Sequence, residues 1–170
     1  MSSAKFEFKR YKTYGDQVLE QLSEEELCWK PSETDNSIAI IIKHLAGNML
    51  SRWTNFLTED GEKSWRNRDE EFEEPPKTKK ELCELWEKGW SCLFDALNTV
   101  NYSNFSSSIK IRNQDLTILD AINRQLAHYA SHVGQIVYLG KMIKKEGWIS
   151  PTIPKGQSKT YNQKMFRENS

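Results

Sequence analysis

Residues 37–57 have the sequence SIAIIIKHLAGNMLSRWTNFL, and their apolar residues recur at the spacing of one helix face. This periodicity predicts an amphipathic helix that buries its apolar side in a protein core. Asp35, Asn36 or Ser37 can cap the start of the helix, because their side-chain oxygens accept hydrogen bonds from first-turn amides. The helix is expected to continue to about Leu57.

Three further segments show the same helical spacing. The first covers about residues 6–22, and another follows Thr78 and Glu81, whose spacing is that of a capping box. The last covers about residues 117–145 and ends in a lysine-rich turn, which suits the negative end of a helix. Residues 102–115 alternate weakly between apolar and polar and fit either a short hairpin or an extended link.

The predicted fold class is therefore all-α, as a four-helix bundle with a site between facing helices. A long polar crossover, residues 58–78, follows the second helix, and links of this length in compact domains are more often functional than idle. Residues 150–170 contain Pro151, Pro154 and Gly156 and few apolar side chains, which predicts an extended C-terminal tail. On the last long helix, Tyr129 and Tyr138 are expected in the core.

Composition excludes several classes of function. A chain of 170 residues with 24 basic and 24 acidic side chains fits one domain and lacks the positive charge of a nucleic-acid binder. No signal peptide or apolar run long enough to cross a membrane is present, so a cytoplasmic location without membrane binding is expected. Cys28, Cys83 and Cys92 lack CxxC spacing, which indicates neither disulfides nor a thiolate zinc site.

The chain has only three histidines, and all of them fall within predicted helices. His128 and His132 are four residues apart, so they share one helix face and can bind one ion. His44 lies beside the apolar stripe of the second helix and can complete a site with three nitrogen ligands and open positions for water or substrate. The alternative is three histidines with structural or solvent contacts. The pair lacks the glutamate of HExxH, which disfavours metalloprotease chemistry.

Several polar and aromatic residues could support such a site. Gln125, Gln135 and Asn48 share helix faces with the histidines and are candidate hydrogen-bond partners for them. Arg66 and Arg68 in the crossover could recognise an anion, although surface ion pairs are the commoner role of such residues. Trp53 and Trp65 could line a pocket or lie in the core, and residues 151–161 could close over the site.

The segments IIKHLAGN, residues 41–48, and HYASHVGQ, residues 128–135, resemble the DinB-like or YfiT-like superfamily of bacterial four-helix metalloproteins. The resemblance extends from the first helix to about Leu139. Residues 52–72 and 153–158 look like one uncharacterised branch of that superfamily. The resemblance implies a metal-binding domain over residues 1–149, followed by the tail over residues 150–170.

By the same resemblance, the metal ligands are His44, His128 and His132, with water in the remaining positions and one zinc or nickel ion per chain. A homodimer and a small-molecule substrate are also implied. Relatives of known activity include thiol S-transferases, which act through a metal-bound low-molecular-weight thiolate such as that of bacillithiol or mycothiol. The alternatives are a hydrolase using metal-bound hydroxide, a non-catalytic metal-binding dimer in a stress response, and a dimerisation domain without metal.

Overall fold

The computed structural model describes residues 1–168, which are mostly helical with one small sheet. The six helices are α1 Ser2–Gln21, α2 Glu24–Cys28, α3 Ile38–Trp53, α4 Lys79–Thr99, α5 Ile118–Lys144 and α6 Ser158–Glu168. The strands β1 Ser108–Ile111 and β2 Gln114–Thr117 pair antiparallel. The prediction of a mainly helical protein is confirmed, and of the two alternatives for residues 102–115 the structure contains the hairpin.

Helix α3 lies within residues 37–57, where the sequence predicted an amphipathic helix, and Ser37 caps its start. The Ser37 hydroxyl accepts a hydrogen bond from the amide of Ile40 over 3.2 Å. The expected end at Leu57 is wrong, because the helix stops at Trp53. Asn55 adopts a left-handed backbone with φ of 49°, a conformation that asparagine tolerates better than most residues and that a helix cannot continue through.

The four long helices share one core. Helix α3 packs against α4 and α1 against α5, and α3 also contacts α5 while α1 contacts α4. The largest fully buried side chains include Trp86, Trp90, Tyr129, Phe8, Leu22, Leu27 and Ile38. Gly89 lets α3 and α4 approach closely, since a Cβ there would lie 3.0 Å from Cα of Ala46. The faces of α3 and α5 that carry the histidines are thereby held next to each other.

Helix geometry also explains one wrong prediction about the core. Tyr129 is fully buried, whereas Tyr138 is 65% exposed. At 3.6 residues per turn, positions nine apart lie on opposite sides of a helix. The two tyrosines therefore cannot both face the core.

The crossover between α3 and α4 is fastened to its neighbours at two places. Nζ of Lys43 on α3 donates to the backbone oxygens of Glu70 and Glu74. Asp60 accepts hydrogen bonds from the amides of Arg112 and Asn113, at 2.8 and 2.7 Å. Both of these turn residues have left-handed backbone angles, φ of 54° and 58°. Asp60 thus stabilises the hairpin turn and joins it to the crossover.

The prediction of a wholly extended C-terminal tail is wrong. Residues 148–157 do lack regular structure after the short turn that follows α5, but residues Ser158–Glu168 form α6. This segment is rich in good helix formers such as lysine, glutamine, methionine and arginine, and the amide of Tyr161 donates to the oxygen of Gln157 in its first turn. The last two residues of the predicted tail lie outside the described residues.

Among residues 1–168, no helix combines the length and the apolar character that crossing a bilayer requires.

Candidate metal centre

The three histidines meet between α3 and α5. His44 comes from the middle of α3, and His128 and His132 come from successive turns of α5. Nε2 of His128 lies 3.3 Å from Nε2 of His44 and 3.1 Å from Nε2 of His132. One ligand nitrogen from each residue falls within 4.8 Å of the others, so the three could hold a metal ion.

A buried carboxylate orients His44. Glu71 lies in a single 3-10 turn of the crossover, Asp69–Phe72, and its Oε2 accepts a hydrogen bond from Nδ1 of His44 over 2.8 Å. Arg66 donates to both oxygens of the same carboxylate, at 2.7 and 2.9 Å. Burial favours a higher pKa for Glu71, but the hydrogen bonds from His44 and Arg66 outweigh it and hold the pKa below its ordinary value. Glu71 is therefore an anion that fixes the His44 ring.

Gln135 orients His132 in the same way from within α5. Nδ1 of His132 donates to Oε1 of Gln135 over 2.9 Å. A neutral imidazole that donates through Nδ1 carries a lone pair on Nε2. The Nε2 lone pairs of His44 and His132 therefore both point towards His128, and hydrogen bonding of the other ring nitrogen to a carboxylate or amide oxygen is typical of metal-binding histidines.

The environment keeps His128 and His132 uncharged at neutral pH. Burial, assisted by the neighbouring His132 and His44, lowers the pKa of His128 to about 3. Burial also lowers the pKa of His132. Imidazole nitrogens in neutral form are ligands that suit zinc, copper, iron and nickel. The donor set thus fits a transition-metal ion of this group.

Among the described residues, the other predicted partners form no hydrogen bond with the histidines. Asn48 accepts a hydrogen bond from the Tyr129 hydroxyl over 3.1 Å, and that hydroxyl accepts one from Nε1 of Trp53 at 3.1 Å. Gln125 is buried beside the histidines, but its Oε1 has no hydrogen-bond partner among residues 1–168. Of the three candidates, only Gln135 has the expected role. Asn48 instead belongs to a buried polar chain under the site.

A cavity of about 280 Å³ opens directly onto the histidines. It is lined by His44, Asn48, Arg52, Arg66, Arg68, Phe72, Arg112, Arg124, Gln125, His128 and His132. The Phe72 ring packs on His44, with 4.6 Å between the ring centroids. The Arg68 guanidinium lies over the Phe72 ring, 5.1 Å from its centroid. The cavity therefore joins the candidate ligands to solvent along an arginine-rich wall.

The predictions for the remaining residues had mixed outcomes. Arg66 and Arg68 both line the cavity, but the Arg66 side chain is only 2% exposed and pairs with Glu71, so it is no surface ion pair. Trp53 is in the core, whereas Trp65 is 59% exposed and does not line this cavity. Residues 151–161 are absent from the lining as well. Closure of the site by the tail, which the sequence allowed, is not present in the structure.

Sequence reasoning missed Glu71 and three of the five arginines. Glu71 stands in an acidic run with Asp69 and Glu70, and nothing in the sequence distinguishes it from them. A signal did exist for Arg124, because it precedes His128 by four residues and must share its helix face.

Comparisons with known proteins place the chain in a family. A family model described as "Protein of unknown function (DUF1572)" matches residues 1–157. A search of curated proteins found no match. Since the family model covers most of the sequence, the chain belongs to the family described as Protein of unknown function (DUF1572), a DinB/YfiT-like family.

Proposed function

We propose that this protein binds one divalent metal ion per chain, zinc or nickel, through His44, His128 and His132, and acts as a metal-dependent thiol S-transferase. The observation that carries the proposal is the convergence of three Nε2 atoms beside a cavity, with His44 and His132 fixed by Glu71 and Gln135. Three protein ligands with access to a cavity are typical of catalytic rather than structural metal sites.

The chain's own residues would determine how strongly a bound ion acts on a substrate and how firmly the ligands are held. Three neutral imidazoles add no negative charge, so the ion's full charge would act on a bound molecule. A divalent ion held there supplies Lewis acidity, which stabilises a thiolate at neutral pH. Phe72 shields His44 from solvent on one side. The position of His44 is held through Glu71 and Arg66, whose side chains are 7% and 2% exposed.

The lack of a free carboxyl group in the cavity favours thiol transfer over hydrolysis. Both oxygens of Glu71 already accept hydrogen bonds, and neither Glu71 nor any other aspartate or glutamate of the described residues lines the cavity. Hydrolysis commonly requires a positioned acid to protonate the leaving group, and arginines stay protonated. A thiol would give its proton to solvent and form the S–C bond while an anion such as chloride leaves the electrophile, so thiol transfer needs no such acid and suits the cavity better.

The test is a conjugation assay with the purified, untagged protein loaded with zinc or nickel. Monochlorobimane serves as the electrophile, with bacillithiol, mycothiol, cysteine and coenzyme A as thiols. We expect turnover above the uncatalysed rate with at least one thiol, and its loss after chelation and in His132→Ala. A variant with Cys28, Cys83 and Cys92 all changed to serine controls for labelling of the protein itself and should retain turnover.

Three results would contradict this function. Turnover that persists after complete removal of metal would exclude the metal centre from the reaction. Metal-dependent hydrolysis of ester or phosphodiester substrates, with no thiol conjugation, would replace the transferase by the hydrolase. A metal-loaded protein inactive in both assays would favour the non-catalytic metal-binding role.

We also propose that the chain is a homodimer with the four-helix arrangement of the uncharacterised branch that its sequence resembles. Light scattering after size-exclusion chromatography should then give twice the chain mass of 19.9 kDa. A mass equal to that of one chain would exclude the dimer without affecting the metal site.

A further inference from the structure

The wall of the metal cavity is strongly basic. Five arginines line it, and the lining contains no aspartate or glutamate among the described residues. Three of the five have strong partners: Arg66 binds Glu71, while Arg52 and Arg112 bind Glu62 at 3.1 and 2.9 Å. These three order the crossover and the hairpin around the cavity.

The other two arginines are available to a ligand. Arg124 is exposed, lines the cavity, and has neither a hydrogen bond nor an ion pair within residues 1–168. The Arg68 side chain is 51% exposed, and its one carboxylate neighbour, Asp69, is 97% exposed and 4.0 Å away. Such an exposed pair contributes little. The Arg68 guanidinium also lies over the Phe72 ring, a weak contact at an exposed site, so Arg68 can turn to an anion at small cost.

Arg124 lies close to the histidines on α5, so an anion bound to it would lie near the metal site. Residues four apart on a helix have Cβ atoms about 5–6 Å apart, so Arg124 stands one turn from His128. Between them in sequence, Gln125 also lines the cavity, and its buried Oε1 has no hydrogen-bond partner among residues 1–168. Gln125 is only 3% exposed, and a buried acceptor without a partner is costly unless a ligand or water donates to it.

We propose that the substrate of this site is a small anion whose carboxylate or phosphate group binds Arg124 and Arg68 while its other end reaches the three histidines. Guanidinium groups match both oxyanions in geometry and charge. The cavity of about 280 Å³ holds only a short segment, so the part of the substrate between the anionic group and the histidines must be short. This inference rests on the proposed metal function and names its substrate class.

The test uses thiols that differ in charge. The full chain is loaded with cobalt(II), whose absorption reports thiolate binding, and titrated with 3-mercaptopropionate, which is anionic, and 2-mercaptoethanol, which is neutral. We expect the anionic thiol to bind wild type about tenfold more tightly. Arg124→Gln should reduce that preference to about twofold or less. Arg10→Gln, which removes the same charge from an arginine paired with Glu7 on α1, should leave the preference unchanged.

A second arm is independent of the metal. Inorganic phosphate is titrated by calorimetry into metal-free wild type and metal-free Arg124→Gln, with Arg10→Gln as the control. We expect about fivefold weaker binding in Arg124→Gln only. A larger effect on phosphate than on the thiol carboxylate would identify phosphate as the natural anion, and the reverse would identify a carboxylate.

The two proposals fail separately. If wild type takes up no metal, the metal function is wrong and the phosphate titration alone decides the anion site. If metal binds but wild type shows no preference for the anionic thiol, or Arg124→Gln leaves the preference intact, the anion site is overturned and the metal function stands. Equal phosphate affinity in metal-free wild type and Arg124→Gln overturns the anion site in the absence of metal.

Discussion

Glu71 accepts a hydrogen bond from Nδ1 of His44 over 2.8 Å, although the two residues are 27 positions apart in the sequence. The contact places the crossover inside the candidate metal centre rather than beside it. Lys43, the residue before His44, also binds backbone oxygens of the crossover, at Glu70 and Glu74. The crossover is thus fixed on both sides of Glu71, at Glu70 and at Glu74.

Replacing the carboxylate is expected to weaken the metal site. In Glu71→Gln the group that orients His44 loses its charge, and Arg66 keeps a buried charge without its anion. Changes to such partners of metal ligands typically cost about 10–100-fold in metal affinity. Competition for zinc against a chromophoric chelator measures the effect. Glu70→Gln, at the exposed neighbouring position, should behave as wild type, and equal affinities in all three proteins would contradict the role of Glu71.

A glycine on α3 makes room for the same carboxylate. A Cβ at Gly47 would lie 2.8 Å from Cδ and 3.2 Å from Cγ of Glu71. Gly47→Ala should therefore displace Glu71 from His44 and lower zinc affinity by about tenfold. Gly134→Ala on α5 is the matched control, because nothing lies within 4 Å of a Cβ there. It should leave zinc affinity unchanged and stabilise the helix by about 0.5–1 kcal/mol. Unchanged affinity in Gly47→Ala would show that Glu71 can move freely.

The polar chain under the site should contribute to stability. Tyr129→Phe removes the hydroxyl that links Nε1 of Trp53 to Oδ1 of Asn48 and leaves both buried groups unpaired. Loss of such a partner costs about 1–3 kcal/mol of unfolding free energy, measured by urea denaturation. Tyr138→Phe on the exposed side of the same helix should change it by less than about 0.5 kcal/mol. Equal effects of the two substitutions would contradict the assigned contacts.

The metal-free protein should lose stability in mild acid through His128. Its pKa is about 3 in the folded chain, against an ordinary value of 6.5, because of burial and the neighbouring histidines. In the unfolded chain His128 therefore takes up a proton near pH 6.5, whereas in the folded chain it does so only near pH 3. His128 therefore leaves the free energy of unfolding unchanged above about pH 6.5 and lowers it progressively as the pH drops towards 3.

Urea denaturation of the metal-free protein at pH 7 and pH 5 tests this linkage. His128→Gln should lose less unfolding free energy between the two values than wild type does. Asn123→Gln, an exposed change on the same helix, serves as the control and should follow wild type. Identical losses in wild type and His128→Gln would show that His128 is not protected from protonation.

Local sequence patterns were sufficient for most of the helical structure. A cap among Asp35, Asn36 and Ser37, the cap at Thr78 and the helix face shared by His128 and His132 depend on residues within one or two turns. These features can therefore be predicted from spacing, although spacing did not single out Ser37. The end of α3 was not predictable, because the apolar pattern continues to Phe56 and Leu57 after the backbone has turned at Asn55.

The parts of the site that depend on long-range contacts could not be predicted. Whether His44 faces His128 depends on how α3 packs beside α5, and neither helix encodes that alone. Glu71 is one of three consecutive acidic residues, and only the path of the crossover decides which one is buried. The same path of the crossover buries Arg66, which was expected at the surface, and places it against Glu71.

Metal content per chain tests the central claim most directly. The untagged protein is purified without chelators, dialysed against zinc or nickel, and measured by inductively coupled plasma mass spectrometry alongside His132→Ala and the neighbouring control Ser131→Ala. The structure predicts one divalent ion per chain in wild type and Ser131→Ala, and loss of that ion in His132→Ala. A wild-type protein that is folded by circular dichroism yet carries no metal and takes up neither zinc nor nickel would contradict the metal centre.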